Sequence, residues 1–181
     1  MEKVNFLRYR WDKIPECAIK ECAGLYCQVW QEPPWNEHSW KANEVLADMR
    51  RELEKPGAEG FIAFYRPAIV AGFTWGYPVS PKELRDIAGN EKLDFLFNNG
   101  ENRVFYIDEL GVASEYRRRG IGKKLSSLLI VAAKSQNLSV AILRTDEKAV
   151  AARNLYADIG FKELTARDER YPERTYWTMK L

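Results

Sequence analysis

One histidine, three cysteines, no long apolar run and almost no net charge mark this 181-residue chain. Each shortage excludes something. A lone His38 cannot build a histidine-rich metal centre. Cys17, Cys22 and Cys27 lie five apart in a stretch that reads as one helix, where five residues turn the chain by about 500° and neighbours point about 140° apart. That geometry suits neither a metal cluster nor a disulfide, so no metal is expected and the thiols read as buried, structural groups of a reducing compartment. The longest apolar runs, such as Leu128 to Ala133, fall far short of the ~20 residues of a membrane span. Met1 to Asn5 lacks the basic-then-apolar layout of a signal peptide. A formal charge of +2 does not describe a strongly basic nucleic-acid module. The expectation is a cytoplasmic protein with neither nucleic acid nor membrane as partner.

What is present is enough for a core. Hydrophobic residues make up 46% of the chain, and a chain near this length buries roughly 70% of its unfolded surface. Residues 1–181 therefore read as a single domain. Charge is divided unevenly: residues 1–100 carry 13 basic and 15 acidic side chains, residues 101–181 carry 15 and 11. An anionic ligand is expected on the second half and a cationic one on the first.

Periodicity sets the elements. Val4 to Trp11 reads as a strand, and Pro15 opens a helix to about Trp30. After Pro33-Pro34 a second helix is expected from about Asn36, with Ala42, Val45, Leu46, Met49 and Leu53 as one apolar stripe and Pro56-Gly57 as its stop. Strands follow at Gly60 to Tyr65 and Ala68 to Tyr77, joined tightly at Arg66-Pro67. Residues 79–103, with a short helix at Pro81 to Ala88 and a turn at Asn98-Asn99-Gly100, are too long for a hairpin loop and read as an insert over a site. Beyond it come a strand (Arg103 to Val112), a helix (Gly120 to Gln136), a strand (Leu138 to Leu143), a helix (Glu147 to Ile159) stopped by Gly160, and two strands, Phe161 to Ala166 and Thr175 to Leu181.

The most informative stretch runs from Val112 to Leu125. A strand enters a basic turn, Arg117-Arg118-Arg119-Gly120-Ile121-Gly122-Lys123-Lys124, and the turn opens a helix whose apolar face is Ile121, Leu125, Leu128, Leu129 and Ala132. Orphan amides, the positive end of the helix dipole and close backbone approach at glycine make such a turn an anion cradle. The Gly-Lys-Ser/Thr ending of a P-loop and the third glycine of a dinucleotide fingerprint are both missing.

Together with a second block, Ala152-Arg153-Asn154-Leu155-Tyr156-Ala157-Asp158-Ile159-Gly160-Phe161, this stretch resembles the GCN5-related N-acetyltransferase (GNAT) superfamily. The strand ending Leu110-Gly111-Val112 and the Glu115 to Gly122 turn are similar to its motif A, and the second block to its A-x-x-L-Y-x-x-x-G-F segment. The resemblance implies an α/β fold with a mixed, mostly antiparallel sheet flanked by helices and splayed between the fourth and fifth strands. It also implies acetyl-CoA as cofactor. The amides of Arg117, Arg118, Arg119, Gly120, Ile121 and Gly122 would hold its pyrophosphate, with Lys123 and Lys124 adding charge. Leu110, Gly111 and Val112 would pair with its pantetheine arm like an added strand.

The implied chemistry is attack of an amine on a thioester. An alkylamine with a pKa near 10 arrives as ammonium, so a base is required. Glu109 and Asp108 are the candidates, with an acid elsewhere or a water chain as the alternative; Phe105 and Ile107 share one alternation phase, Leu110 and Val112 the other, and the bulge that the resemblance implies just there decides which carboxylate faces the site. By resemblance Tyr156 is the acid that protonates the leaving thiolate. Where many members carry an asparagine seven residues before that tyrosine, this chain has Ala149; Asn154, or Thr145 and Asp146, are the residues left to compensate.

The segment Trp30 to Trp40, between the first two helices, is implied as the acceptor wall. Trp35, Glu32 and Glu37 there, with Trp75 and Tyr77 from the third strand, could hold a cation by ring faces and charge. The acceptor is then a primary amine: a small cationic amine, an aminoglycoside-like compound, or a protein N-terminus or lysine. An acyl-CoA-binding sensor without turnover is the alternative, and a homodimer is left open.

Overall fold

The computed structural model describes residues 4–66, 69–97, 100 and 102–181. Pro67 of the expected tight connection and Asn98-Asn99 of the expected turn lie outside the described residues. Along the chain come β1 (Asn5–Tyr9), α1 (Glu16–Gln31), α2 (Ala42–Leu53), β2 (Glu59–Arg66), β3 (Ile69–Val79), α3 (Pro81–Ala88), β4 (Val104–Val112), α4 (Ile121–Lys134), β5 (Val140–Asp146), α5 (Val150–Asp158), β6 (Lys162–Arg167) and β7 (Arg174–Lys180).

One seven-stranded sheet has the order β1-β2-β3-β4-β5-β7-β6. Every neighbouring pair is antiparallel except β4 and β5, which run parallel. That parallel contact covers only Phe105↔Ala141, Tyr106↔Ile142 and Ile107↔Leu143. Past it β4 follows β3 to Val112, while β5 follows β7 to Asp146. The sheet therefore opens between β4 and β5, leaving the upper edge of β4 without a strand partner on that side.

Strand alternation divides the core between the two faces. Ile62, Phe73 and Trp75 pack with the buried side of α1 and α2, including Ile19, Cys22, Tyr26, Val45 and Met49. Phe61, Ala63, Phe105 and Ile107 pack on the other face with Leu125 and Leu129 of α4 and Tyr156 of α5. Burying each large apolar side chain stabilises the fold by roughly 1.5–3 kcal/mol. Segment 79–103 builds a third cluster, in which Leu84, Ala88, Leu93 and Leu96 cover Tyr77, Tyr106, Ile142 and Tyr176.

Local chemistry explains two helix starts that differ from expectation. α2 begins at Ala42, because Asn36 takes a left-handed φ of 51° and the Glu37 amide returns to the Trp30 carbonyl (2.8 Å), so the chain turns before it coils. α5 begins at Val150, because the Asp146 carboxylate captures the Lys148 amide (2.7 Å) in a turn that competes with the helix. α3 starts as expected, on a capping box between Ser80 and Glu83 with Pro81 at its first position.

Candidate active site

The site begins with a bulge. Trp75 of β3 pairs with Glu109, and the next residue, Gly76, pairs with Ile107, so Asp108 is an extra residue opposite none. Phe105 and Ile107 before it, and Leu110 and Val112 after it, all lie against the α4 cluster. Asp108 and Glu109 consequently both turn to the opposite face, into one cavity of about 240 Å³. Glu109 receives the Tyr26 hydroxyl on Oε1 (3.1 Å), and its Oε2 is buried without a partner. Asp108 receives the Tyr77 hydroxyl (2.9 Å).

A third carboxylate, Glu52 of α2, meets them across the cavity and accepts from the Trp75 indole (2.8 Å). Sequence reasoning missed it, although a signal existed: Val45, Asp48, Met49 and Glu52 lie at i, i+3, i+4 and i+7, so both acids share the apolar stripe. Tyr26 was missed too, hidden in the stripe of α1 with Ile19, Cys22 and Ala23. Burial, reinforced by the charge of Asp108, pushes Glu52 up to about 8. Burial and then the charges of Asp108 and Glu52 raise Glu109 well above the carboxylate range. Burial raises Asp108 as well.

Tyr156 lies on the α4–α5 side of the sheet, buried against Phe161 and Trp177 at 6.1 and 6.4 Å between ring centroids. Burial, and then the charge of Glu109, raises its pKa, so the phenol carries its proton. Glu109 is thus felt from both sides: by Tyr26 in the cavity and by Tyr156 beside the opening between β4 and β5.

The basic turn lies at the top of that opening. Arg118 (φ 63°) and Gly120 (φ 78°) are left-handed, an alternation that aims successive amides to one side. α4 makes its first bond from the Lys124 amide to the Gly120 carbonyl (3.0 Å), leaving the amides of its first turn without helical partners, and no acidic side chain occupies that turn. A Cβ built at Gly120 would meet nothing within 4 Å, and one at Gly122 would press on Leu155 at 3.3 Å. The turn is thus open above and tightly packed below, which fits a diphosphate approached by backbone. Lys123 and Lys124 are exposed.

Several candidates stand elsewhere than expected. Glu32 points away from the cavity to pair with Arg117 (2.5 Å), whose guanidinium also donates to the Val112 carbonyl (2.9 Å). Trp35 stacks on Trp30 at 5.5 Å, one ring removed from the cavity, and Trp75 is buried behind Glu52. Glu37 does line the cavity, holding Trp40 (2.6 Å) and Arg174 (3.2 Å). Asn154 is exposed, while Thr145 and Asp146 are buried. Among the described residues of 79–103 none lines the cavity; their apolar cluster covers another part of the sheet. Cys17 is exposed and Cys27 half-buried, so of the three free thiols only Cys22 is buried as expected. Among the described residues no cluster suits a metal ion, and no helix is long and apolar enough to cross a membrane.

A model of the acetyltransferase (GNAT) family matches residues 22–161. The chain belongs to that family. The [ribosomal protein bS18]-alanine N-acetyltransferase of Escherichia coli (strain K12) is 29% identical over 107 residues, which cover 53% of this chain and 72% of that protein. Among solved structures, an acetyltransferase from Streptococcus agalactiae 2603 superposes with a TM-score of 0.73 over 100% of both chains at 14% identity. Arabidopsis thaliana NAA60, solved in complex with acetyl-CoA, gives 0.69 over 99% of each chain at 13% identity. These likenesses agree with the mixed sheet, its parallel β4–β5 pair and the splay beyond it.

Proposed function

We propose that the protein is an acetyl-CoA-dependent N-acetyltransferase in which an acceptor amine, held in the carboxylate cavity, takes the acetyl group directly. The observation that carries this is Glu109, one oxygen bonded to Tyr26, the other buried and unpartnered, and its charge felt by Tyr156. Bound acetyl-CoA supplies the acetyl group as a thioester, whose C–S bond breaks as the new N–C bond forms. The amides of Arg118 to Gly122 hold the diphosphate, that of Arg117 being bonded to the Ser114 carbonyl (3.3 Å), and the edge at Leu110, Gly111 and Val112, which no strand covers, accommodates the pantetheine arm.

The remaining work is proton handling by this chain. An ammonium gives its proton to Glu109 before it becomes a nucleophile. A carboxylate raised by burial is better matched to that task than one at the ordinary value. Asp108 lies beside it and, by charge, holds Glu109 in the raised range. The protonated phenol of Tyr156 donates to the departing sulfur and is restored by the second proton, which the nitrogen sheds as the amide forms; the first proton leaves Glu109 for solvent, so an ammonium yields amide, thiol and one released proton. The −2 and +4 division of the sequence supports a split only for the cofactor: two of the cavity's carboxylates, Asp108 and Glu109, come from the basic half.

Release of free thiol from acetyl-CoA, followed across a panel of amines, tests this reading. Glu109→Gln and Tyr156→Phe are each expected to lower turnover by about 10²–10⁴-fold while coenzyme A still binds. Coenzyme A at 100 times its Kd should stabilise the fold by about 2.7 kcal/mol in all three proteins. Stabilisation without thiol release from any amine would instead make the protein a sensor.

A further inference from the structure

The cavity holds more negative charge than acetyl transfer to a simple amine requires. Its arginines are already engaged: Arg174 with Glu37 (3.2 Å), Arg144 with Asp168 (2.6 Å), and Arg51 with Asp48 (2.6 Å), 3.7 Å from Glu52. Lys55 lies over the ring of Tyr77, 3.5 Å from its centroid. Besides the hydrogen bond between Glu52 and Asp108, the bonds made to these two acids and to Glu109 come from uncharged groups, the Trp75 indole and the Tyr77 and Tyr26 hydroxyls. Only one carboxylate is needed to take the proton of the reacting amine. Two carboxyls, Glu52 and Asp108, then remain in a cavity lined also by Trp30 and Trp40. Carboxyls taken from water with neutral partners are costly unless a cation joins them.

We propose that the acceptor carries a second cationic nitrogen, as a linear diamine or polyamine does, and that Glu52 is the residue that selects it. The inference rests on the acetyl-transfer reading above for the reacting end. The reacting nitrogen lies at Glu109, on the side of Tyr156. The second ammonium sits against Glu52 and Asp108, with the ring of Trp40 as the neighbouring aromatic wall, Trp30 being stacked on both Tyr26 (4.6 Å) and Trp35 (5.5 Å). The cavity has the liquid volume of about eight waters, which suits an extended alkyl chain and leaves little space for a side chain. The ammonium displaces the proton that Glu52 and Asp108 hold between them, so binding releases a proton to solvent.

Two measurements test this. In the first, thiol release from acetyl-CoA is compared for putrescine, spermidine, n-butylamine and a peptide with an N-terminal alanine. The diamines should exceed n-butylamine and the peptide in kcat/KM by about 10–100-fold, the range expected of a hydrogen bond to a charged group. Glu52→Gln should remove that advantage, chiefly through KM, the diamines losing more than n-butylamine. Equal rates for diamine and monoamine, a preference for the peptide, or an equal loss for all acceptors in Glu52→Gln would overturn the proposal. In the second, spermidine binding is followed by calorimetry in two buffers of different ionisation enthalpy, without acetyl-CoA. The native protein should release a proton on binding and Glu52→Gln should not; Asp108→Asn gives the same reading if Glu52→Gln folds poorly. Spermidine binding with proton release but no thiol release would refute acetyl transfer and keep the cation site. No binding, or binding without proton release, refutes the cation site alone.

Discussion

Asp108 and Glu109 occupy one face of β4 although they are sequence neighbours, and the extra residue of the bulge is the reason. The change of apolar phase between Ile107 and Leu110 is visible in the sequence and marks the bulge. It does not say that both acids turn the same way, because that depends on how β3 pairs across it. Glu52 completes the cluster and gives it a pH signature. Its ordinary value is 4.5, and in the fold it is pushed up to about 8. Below the lower value it is protonated whether folded or not; as pH rises toward the upper one, the unfolded chain ionises while the fold holds the proton, so stability falls. Glu52→Gln lacks this loss. Its urea midpoint relative to the native protein should therefore rise between pH 5 and pH 8.5. A relative midpoint that stays flat means the carboxyl is not held protonated.

The β3–β4 pair positions the bulge, and Gly76 permits it. A Cβ there would lie 2.5 Å from the Tyr106 carbonyl oxygen and 3.1 Å from the Ile107 Cα, both backbone atoms that cannot swing aside. Gly76→Ala is expected to cost roughly 1–3 kcal/mol of overpacking. Its Tm should drop by about 2–4 °C for each of those kcal/mol, and thiol release should fall more than the folded fraction does, since the carboxylates move with the strand. Just past the end of β3, Ser80→Ala removes one half of the α3 capping box and should cost about 1 kcal/mol, read as a shift in denaturant midpoint with turnover retained. Some of this was legible: the succession of elements along the chain, the start of α3 at Pro81 and the Gly160 stop (φ 101°) follow from local chemistry. The starts of α2 and α5 were not, since a left-handed Asn36 and an Asp146 turn compete with the helix in ways that apolar periodicity does not register.

The molecule joins its two halves around the splay, and Asp168 is a tie across the C-terminal one. Fully buried, it accepts from Arg144 of β5 (2.6 Å) and the Tyr176 hydroxyl of β7 (3.0 Å) and takes the Arg170 and Tyr171 amides of the β6–β7 connection. Asp168→Ala leaves a mostly buried guanidinium unpaired and should destabilise by about 3–5 kcal/mol, measured by urea unfolding. It should also loosen Arg144 at the cavity wall, so weaker diamine affinity is expected with it.

A basic glycine turn before an amphipathic helix, with the Leu155-Tyr156 to Gly160-Phe161 block behind it, was sufficient to point to the fold and to a diphosphate loop. Those features are local: backbone amides at a helix start bind anions wherever the chain goes next. The carboxylate well is of another kind. Glu52 and Asp108 are 56 positions apart, Tyr26 and Glu109 are 83, and periodicity reports only which face of its own element a residue occupies. Which faces meet, and that Trp75, Tyr77 and Tyr26 bond the three acids there while Arg174 and Arg144 pair with Glu37 and Asp168, is set by the packing of α1 and α2 on the sheet.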